Sequence, residues 1–356
     1  MSKLLKIENN FQDTIKDFLK NLLENKKIDG VFSFRKNTSN YGLITDVKEL
    51  ENIAPLYPLM PANAGQLLGR FTPMKEVIAV VIHPCEFRAF IELAKREQGS
   101  LDNFLLITHT CGGVYPLKVN VKNEINEKQY WASVEKGEIP QNIRPTCEAC
   151  EHIAPQNADI LISTIGEKND VTKLYLNTKK GIKFAKYYND NLVKKSFEKE
   201  NLKPLLEKKN IAKEKLFSAI TDTGLDGLID IFGKCVGCHG CNAVCPICYC
   251  TLCDFDSFNY DYNTPILEKE LEQKGALRLP PDTLFFQLGR LSHMSFSCVG
   301  CGQCSDVCPA NIPVASVFKK VGEKTAEMFS FIPGKDVKEP IPVMIFKEEE
   351  FPELGE

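Results

Sequence analysis

Two stretches of the chain decide its fold, KCVGCHGCNAVCP at residues 234–246 and SCVGCGQCSDVCP at residues 297–309. Each carries the spacing C-x2-C-x2-C-x3-C-P, with which bacterial ferredoxins bind four-iron clusters, and the fourth cysteine of each run serves the cluster of the other run. The sequence therefore predicts a bacterial-type ferredoxin domain with two [4Fe-4S] clusters. The predicted ligands are Cys235, Cys238, Cys241 and Cys308 for one cluster, and Cys298, Cys301, Cys304 and Cys245 for the other.

A pair of zinc sites is the alternative interpretation of these runs. Zinc sites are built from C-x2-C pairs, and the longer run that occurs here twice is not a zinc pattern. Three further cysteines, Cys248, Cys250 and Cys253, follow the first run in ICYCTLC. Two standard clusters need none of them. A packing role or free thiols are therefore favoured over an additional ligand site.

Cysteine usage and overall charge narrow the class of protein. The chain has 15 cysteines among 356 residues, and eleven lie between Cys235 and Cys308, which favours metal binding over disulfides. A net charge of −3 argues against a nucleic-acid partner. The N-terminus lacks a secretory signal, and the longest aliphatic run, 77–82, is much shorter than a membrane span. We therefore predict a cytoplasmic protein without direct membrane insertion.

An α/β domain is predicted ahead of the ferredoxin part, because residues 75–113 have the pattern of a βαβ unit with a right-handed parallel connection. Hydrophobic periodicity predicts helices at 11–23 and 86–97, strands at 31–34, 43–45, 77–82, 104–108 and 160–163, and strand and turn at 172–185. The segment 56–71 contains prolines and is expected to be irregular. Asp282 is the expected N-cap of a helix that carries Leu284, Phe285, Leu288 and Leu291.

These patterns divide the chain into four parts. The predicted parts are an α/β domain at 1–189, a helical linker at 190–232 with a break near Pro204, a dicluster ferredoxin-like domain at 233–315 and a C-terminal extension at 316–356.

A third set of cysteines is spread over the α/β domain. Cys85 and Cys111 each follow a predicted strand by three or so residues, and parallel neighbouring strands would bring both thiols to the carboxyl edge of the sheet. Cys147 and Cys150 add a C-x2-C pair. Four thiolates at this edge would hold a third [4Fe-4S] cluster or a zinc ion. The alternative is two unrelated buried cysteines and a separate pair.

The chain resembles the beta subunits of coenzyme F420-dependent formate dehydrogenase, within the wider family of F420 hydrogenase and dehydrogenase beta subunits. The resemblance covers about residues 30–335. It rests on LYPLMPANAG at 56–65, HPCEFRAFIELAK at 83–95, the Cys111-Gly112-Gly113 turn, RPTCEAC at 144–150 and RLSHMSFSCVGCGQCSDVCPANIPV at 290–314. A weaker resemblance extends to iron–sulfur subunits of sulfite reductases and sulfhydrogenases.

The family resemblance implies that the α/β domain binds FAD and one [4Fe-4S] cluster, with Cys85, Cys111, Cys147 and Cys150 as ligands. It implies an electron-transfer subunit between a hydride carrier and a catalytic partner, formate dehydrogenase alpha-like or hydrogenase-like. No side chain is expected to act as a catalytic acid or base. Departures at His83 and at Thr108-His109-Thr110 leave the carrier open among F420, NAD(P)H or none.

Flavin contacts are harder to predict, because the chain has no G-x-G-x-x-G run after a strand and no Walker A loop. The candidates are Asn63 and Arg70, with Gly112 and Gly113 as a turn whose N–H groups could meet a phosphate. Two other functions stay open. One is a flavin-free iron–sulfur relay subunit of a heterodisulfide reductase-, hydrogenase- or sulfite reductase-type complex, and the other is a structural zinc scaffold.

Overall fold

An eight-stranded mixed sheet forms the centre of the N-terminal part of the chain, in the order β3-β2-β4-β5-β6-β7-β1-β8. The computed structural model describes residues 2–118, 125–220, 224–257, 264–275 and 283–345. The strands are β1 Lys3–Ile7, β2 Gly30–Arg35, β3 Asn40–Ile44, β4 Ile78–Val81, β5 Phe104–His109, β6 Ile160–Ser163, β7 Thr172–Leu176 and β8 Leu192–Val193.

The four central strands, β2, β4, β5 and β6, are parallel, and the remaining strands run antiparallel at both sides. β4 and β5 pair in parallel with Ile78 opposite Phe104, which confirms the predicted neighbourhood of these two strands. Their buried, aliphatic sequences are typical of strands that are covered on both faces. The carboxyl ends of the two strands therefore lie side by side.

Helices cover both faces of the sheet. The first half of the chain contains α1 Phe11–Glu24, α2 Ala64–Phe71, α3 Pro84–Lys95, α4 Glu127–Glu135, α5 Pro145–Glu148 and α6 Lys179–Tyr188. Helices α1 and α6 pack on one face, and α2 and α3 pack on the other. The segment expected to be irregular thus contains a helix, and the region 172–185 contains a strand followed by a helix.

The second half of the chain is mostly helical. It contains α7 Lys203–Ser218, α8 Gly224–Phe232, α9 Gly240–Ala243, α10 Thr264–Lys274, α11 Thr283–Met294, α12 Gln303–Asp306 and α13 Val314–Met328. Pro204 does not break a helix, because it lies in the first turn of α7, where a missing N–H costs no hydrogen bond. The predicted boundary between 315 and 316 falls within α13.

The buried face of helix α11 leaves out two of its large apolar residues. Phe285 and Leu288 are 63% and 38% exposed, whereas Phe286, Gln287 and Arg290 are buried. Asp282, the expected N-cap, lies outside the described residues. Within the described ranges, no helix combines the length and the apolar character needed to cross a membrane.

Candidate metal centres

The two ferredoxin-type runs form two separate cysteine-lined cavities. One cavity is lined by Cys235, Cys238, Cys241 and Cys308, which we name set C. The other is lined by Cys298, Cys301, Cys304 and Cys245, which we name set B. Each set thus takes three cysteines from one run and the fourth from the other, in the grouping that the spacing predicts.

The loops that carry these sets turn through left-handed backbone conformations. Gly237 in the first run and Gly300 in the second have φ of 64° and 68°. Two residues later, His239 in the first run has φ of 53° and Gly302 in the second has φ of 85°. Turns of this kind direct backbone N–H groups into the concave side of a loop. The N–H of Ile312 accordingly donates to Cys308 Sγ at 3.4 Å.

The chemistry of set B fits a metal cluster. Burial raises the pKa of the Cys301 thiol to about 12, and the N–H of Gln303 offsets part of that rise. Burial also raises the pKa of Cys298 and Cys304. The exception is Cys245, whose pKa is lowered, first by a hydrogen bond from the Cys248 thiol. The three buried thiols with raised pKa values do not ionise together unless positive charge replaces their protons, and an iron–sulfur core supplies that charge.

A third group of thiols lies at the carboxyl edge of the sheet. Cys85 opens α3 after β4, Cys111 follows β5, and Cys147 and Cys150 lie in and just after α5. Their thiols are close enough to influence one another, because burial first, and then the neighbouring thiolates, raise the pKa of Cys85 and Cys111. The structure therefore brings Cys85, Cys111, Cys147 and Cys150 together, and we name them set A.

Set A lies directly beside set B. Cys85, Cys245 and Cys301 pack in one small cluster around Ala89, Ile247 and Val299. Among the thiolates near Cys85, that of Cys301 has the largest effect on its pKa after burial. The three sets thus follow one another in the order A, B, C.

Cys248 belongs to the surroundings of set B. Its thiol hydrogen-bonds to that of Cys245, and its Sγ lies 3.4 Å from Met294 Sδ. Cys250 is exposed and Cys253 is half-buried. All 15 cysteines are free of disulfides.

Two buried histidines flank set A. His83 Nδ1 lies 3.0 Å from His109 Nε2, and His109 Nδ1 lies 3.0 Å from the carbonyl oxygen of Thr110. Burial lowers the pKa of His83 to about 4 and that of His109 to about 3, so both rings are neutral at neutral pH. A ring nitrogen of each and Cys111 Sγ lie within 4.8 Å of one another.

The predicted flavin contacts occupy different surroundings. Asn63 caps α2 through Oδ1, which accepts from the N–H of Gly65 at 3.0 Å, and Arg70 is exposed in the last turn of that helix. The N–H of Gly113 is already used, because it donates to Cys111 Sγ at 3.3 Å. A Cβ atom on Gly112 would lie 2.6 Å from Val134. These two glycines therefore pack behind set A, and the flavin contacts stay a prediction.

A cavity of about 400 Å³ opens near set A on the side of Cys150. Its polar lining comes from Arg88, Glu151, His152, Gln156, Asn157, Lys199 and Lys335. A smaller cavity that shares Arg88 and His152 reaches Cys150 and Cys298. Positive charge dominates in this cavity. The charge of Arg88 is the largest cause that lowers the pKa of His152 well below its usual value, and burial and the charges of three lysines lower it further. No sequence pattern had indicated this cavity.

Matches to known proteins include one family profile over part of the chain and two nearly full-length relatives. A profile of the 4Fe-4S dicluster domain matches residues 206–312. The chain is 30% identical over 356 residues to the F420-dependent formate dehydrogenase subunit beta of Methanocaldococcus jannaschii, with 89% of this chain and 90% of the relative covered. It is 30% identical over 368 residues to the F420-dependent formate dehydrogenase 1 subunit beta of Methanococcus maripaludis, with 90% of each chain covered.

A solved structure is also similar, that of the xenon-derivatised F420-reducing [NiFe] hydrogenase complex from Methanosarcina barkeri. Its matching chain has a TM-score of 0.45 and 15% identity, and the match covers 64% of this chain and 94% of that chain.

Proposed function

Because the chain belongs to the family of F420-dependent formate dehydrogenase beta subunits, we propose that it passes electrons between a hydride carrier at FAD and a row of [4Fe-4S] clusters. The chain is an oxidoreductase subunit, as its relatives are. The row of clusters would lead to a catalytic partner subunit, formate dehydrogenase alpha-like or hydrogenase-like. We place this activity in the cytoplasm, where thiols stay reduced.

The contact between sets A and B carries this proposal. Cys85 of set A and Cys301 of set B pack against the same three apolar side chains, so clusters held there would be close neighbours. Set B is in turn linked to set C, because Cys245 and Cys241 belong to one run but line different cavities. A continuous row of redox centres is what a relay between a hydride carrier and a distant partner requires.

We propose that FAD occupies the cavity of about 400 Å³ beside Cys150. FAD accepts a hydride as an electron pair and releases single electrons. Lys199 and Lys335 line the cavity and offer cationic contacts for a pyrophosphate. Arg88 holds one wall in place, because its Nε donates to Pro333 O at 2.8 Å. The smaller cavity extends from this site to Cys150 and Cys298.

The far end of the row is the exit toward the partner. Cys238 of set C is exposed, whereas Cys235 and Cys241 of the same set are buried. An exposed ligand brings a cluster near the surface, where electrons can pass to another protein. The identity of that partner follows from the family and is part of the proposal.

The first experiment is an anaerobic titration of the purified, flavin-reconstituted chain with reduced F420, and with NADPH and NADH as parallel donors. Loss of flavin and cluster absorbance with reduced F420 alone is the expected result. Bleaching by NADPH or NADH alone would support the same electron-transfer function with a nicotinamide in place of F420 as the hydride carrier. Intact clusters that no donor bleaches would contradict the hydride-carrier function and favour the flavin-free relay.

Two charge-reversal variants test where the flavin binds. Lys199→Glu should weaken FAD binding by at least tenfold, because it places a negative charge in the cavity that would hold the pyrophosphate. Arg70→Glu makes the same change of charge in the segment 56–71, the alternative flavin contact, and should leave FAD binding unchanged. The opposite pattern would move the flavin to that segment.

A further inference from the structure

Arg290 is a buried cation that lies between sets B and C. It comes from helix α11, which belongs to the insert between the two cysteine runs and carries no cluster ligand. Its side chain is 3% exposed and lines the cavity of set B. At the same time Nη1 lies 3.1 Å from the Sγ atom of Cys241 in set C, and Nη2 donates to the Cys241 carbonyl oxygen at 3.0 Å.

The guanidinium lies among the thiols of sets B and C, hydrogen-bonds to the Cys248 thiol, and donates from Nη1 to Gln287 Oε1 at 3.4 Å. Its Cζ atom lies 4.8 Å from the ring centroid of Phe318 and 5.6 Å from that of Phe286. Among the side chains that the structure describes, no carboxylate lies within ion-pair distance of it. An arginine side chain is always protonated in proteins, so this guanidinium is a cation.

One atom of Arg290 is left without a partner in the part of the chain that the structure describes. Nε is buried and lacks a hydrogen-bond acceptor among the described residues. A buried, unpaired N–H costs free energy unless a group that the chain does not itself supply accepts its hydrogen bond. The sulfur atoms of a cluster in the set B cavity are acceptors of that kind.

We propose that Arg290 sets the reduction potentials of both ferredoxin-type clusters and couples them, as one positive charge shared between two cluster sites. This inference rests on the ligand assignment in the proposed function. Reduction adds one electron to a cluster, and the fixed charge of Arg290 stabilises that electron on either side without the uptake of a proton. An electron that leaves the cluster of set B for that of set C therefore stays beside the same cation. Arg290 is a positioning residue for this transfer and binds no iron.

Gln287 provides an internal contrast. Its Nε2 lies 3.7 Å from Cys235 Sγ and 3.8 Å from Cys241 Sγ, both of which belong to set C. It is neutral and does not line the cavity of set B, although its Oε1 accepts from Arg290 Nη1 at 3.4 Å, so Gln287→Leu keeps the charge of Arg290 and removes only this contact. A change at Gln287 should therefore affect one cluster, whereas a change at Arg290 should affect both.

The test is a redox titration of the full chain under anaerobic conditions, followed by electron paramagnetic resonance, on the wild type and four variants. In Arg290→Met the one-electron reduction constants of both clusters should fall at least tenfold, which is 59 mV for one electron. Arg290→Lys keeps the charge and should restore most of the loss. Gln287→Leu should lower the potential of a single cluster. Lys234→Met removes an exposed charge next to Cys235 and should shift neither, because water screens it.

Iron and acid-labile sulfide in the wild type test the proposed function separately, since their absence would contradict the clusters themselves. With clusters present, unchanged potentials in Arg290→Met, or equal shifts in Arg290→Met and Arg290→Lys, would overturn the role of the charge. If Arg290→Met loses its iron, retention of iron by Arg290→Lys supports the need for a cation at this position. Loss of iron from both variants would make Arg290 a packing residue and contradict the inference.

Discussion

The guanidinium of Arg144 forms a buried ion pair with the carboxylate of Asp306, with Nη2 and Oδ2 2.6 Å apart. Arg144 lies just before Cys147 in the α/β part, and Asp306 lies between Cys304 and Cys308 in the second run. The same guanidinium donates to the carbonyl oxygens of Cys301 and Met60 at 2.9 and 3.0 Å. One side chain thus joins the part that carries set A to the part that carries set B.

Loss of this ion pair should destabilise the whole chain. Arg144→Met leaves the Asp306 carboxylate buried without an opposite charge, with only the N–H of Leu117 donating to Oδ2 at 3.2 Å, and breaking comparable buried pairs costs about 3–5 kcal/mol. The free energy of unfolding, measured anaerobically by denaturant titration, should fall by that amount. The matched control is Lys186→Met, which breaks an exposed pair with Asp190 and should cost less than about 0.5 kcal/mol. Equal losses in the two variants would contradict the importance of the Arg144 contact.

Gly302 should tolerate no side chain, although it binds no metal. A Cβ atom there would lie 2.5 Å from Thr146 Oγ1 and 2.9 Å from Arg144 Cδ, and the φ of 85° is strained for any other residue. Gly302→Ala should therefore separate set A from set B and lower the iron content. Gly300→Ala is the control, since it meets similar strain at φ 68° but only the Lys319 side chain at 3.7 Å. Iron content and thermal unfolding are measured for both variants. A smaller loss of iron and stability in Gly302→Ala than in Gly300→Ala would contradict the prediction.

Set A should hold a cluster of its own. Cys111→Ser removes one ligand, so the iron content should fall from about 12 to about 8 atoms per chain while the ferredoxin-type signals remain. Cys250→Ser changes an exposed cysteine outside the three sets and should leave the iron content unchanged. If metal analysis of the wild type finds zinc, together with only the iron of the two ferredoxin-type clusters, set A binds a zinc ion and not a cluster.

Glu86 should make the stability of the chain depend on pH. Burial raises the pKa of this carboxyl from 4.5 to about 7, although Oε1 and Oε2 accept from the N–H groups of Ala64 and His83. Between these two values the folded state keeps a proton that the unfolded state has released. The contribution of Glu86 to the free energy of unfolding is therefore greatest at low pH. It falls by about 3 kcal/mol in total as the pH rises to about 7.

The variant Glu86→Gln isolates this effect, because it cannot ionise. The free energy of unfolding of the wild type should fall by about 2.5 kcal/mol more than that of the variant between pH 5 and pH 8. Both proteins must hold equal amounts of iron for the comparison. Parallel curves for the two proteins would mean that Glu86 ionises normally in the folded state.

The elements that the sequence predicts best are those whose pattern is local. Residues 160–163 form the expected strand, and the helix expected at 11–23 is observed as Phe11–Glu24, because apolar periodicity marks both. Strand β1 was missed, since KLLKI is short and its stability comes from pairing with β7 and β8. The helix at Ala64–Phe71 was hidden behind the prolines of its segment.

Sets B and C are predictable for the same reason, because the fixed spacing of the two runs determines which thiols meet. Set A was predicted from the parallel pairing of two strands and from the family resemblance. The contacts of Arg144 and Arg290 depend instead on how distant segments dock. Arg144 does stand beside Cys147 in the sequence, but nothing local marks Asp306 as its partner. Arg290 is buried on a helix whose Phe285 and Leu288 are exposed, and no local pattern marks that arrangement.

The exchange of one cysteine between the two runs has a consequence for how the chain matures. Cys245 of the first run lines the cavity of set B, and Cys308 of the second run lines the cavity of set C. The first cluster to bind, at either site, therefore joins the two runs. Binding of the first cluster loses the conformational entropy of the long loop between the runs. The second cluster binds without that cost, because its four ligands are already close together. Maturation should therefore be cooperative, and chains with both clusters or with neither should outnumber those that hold a single one.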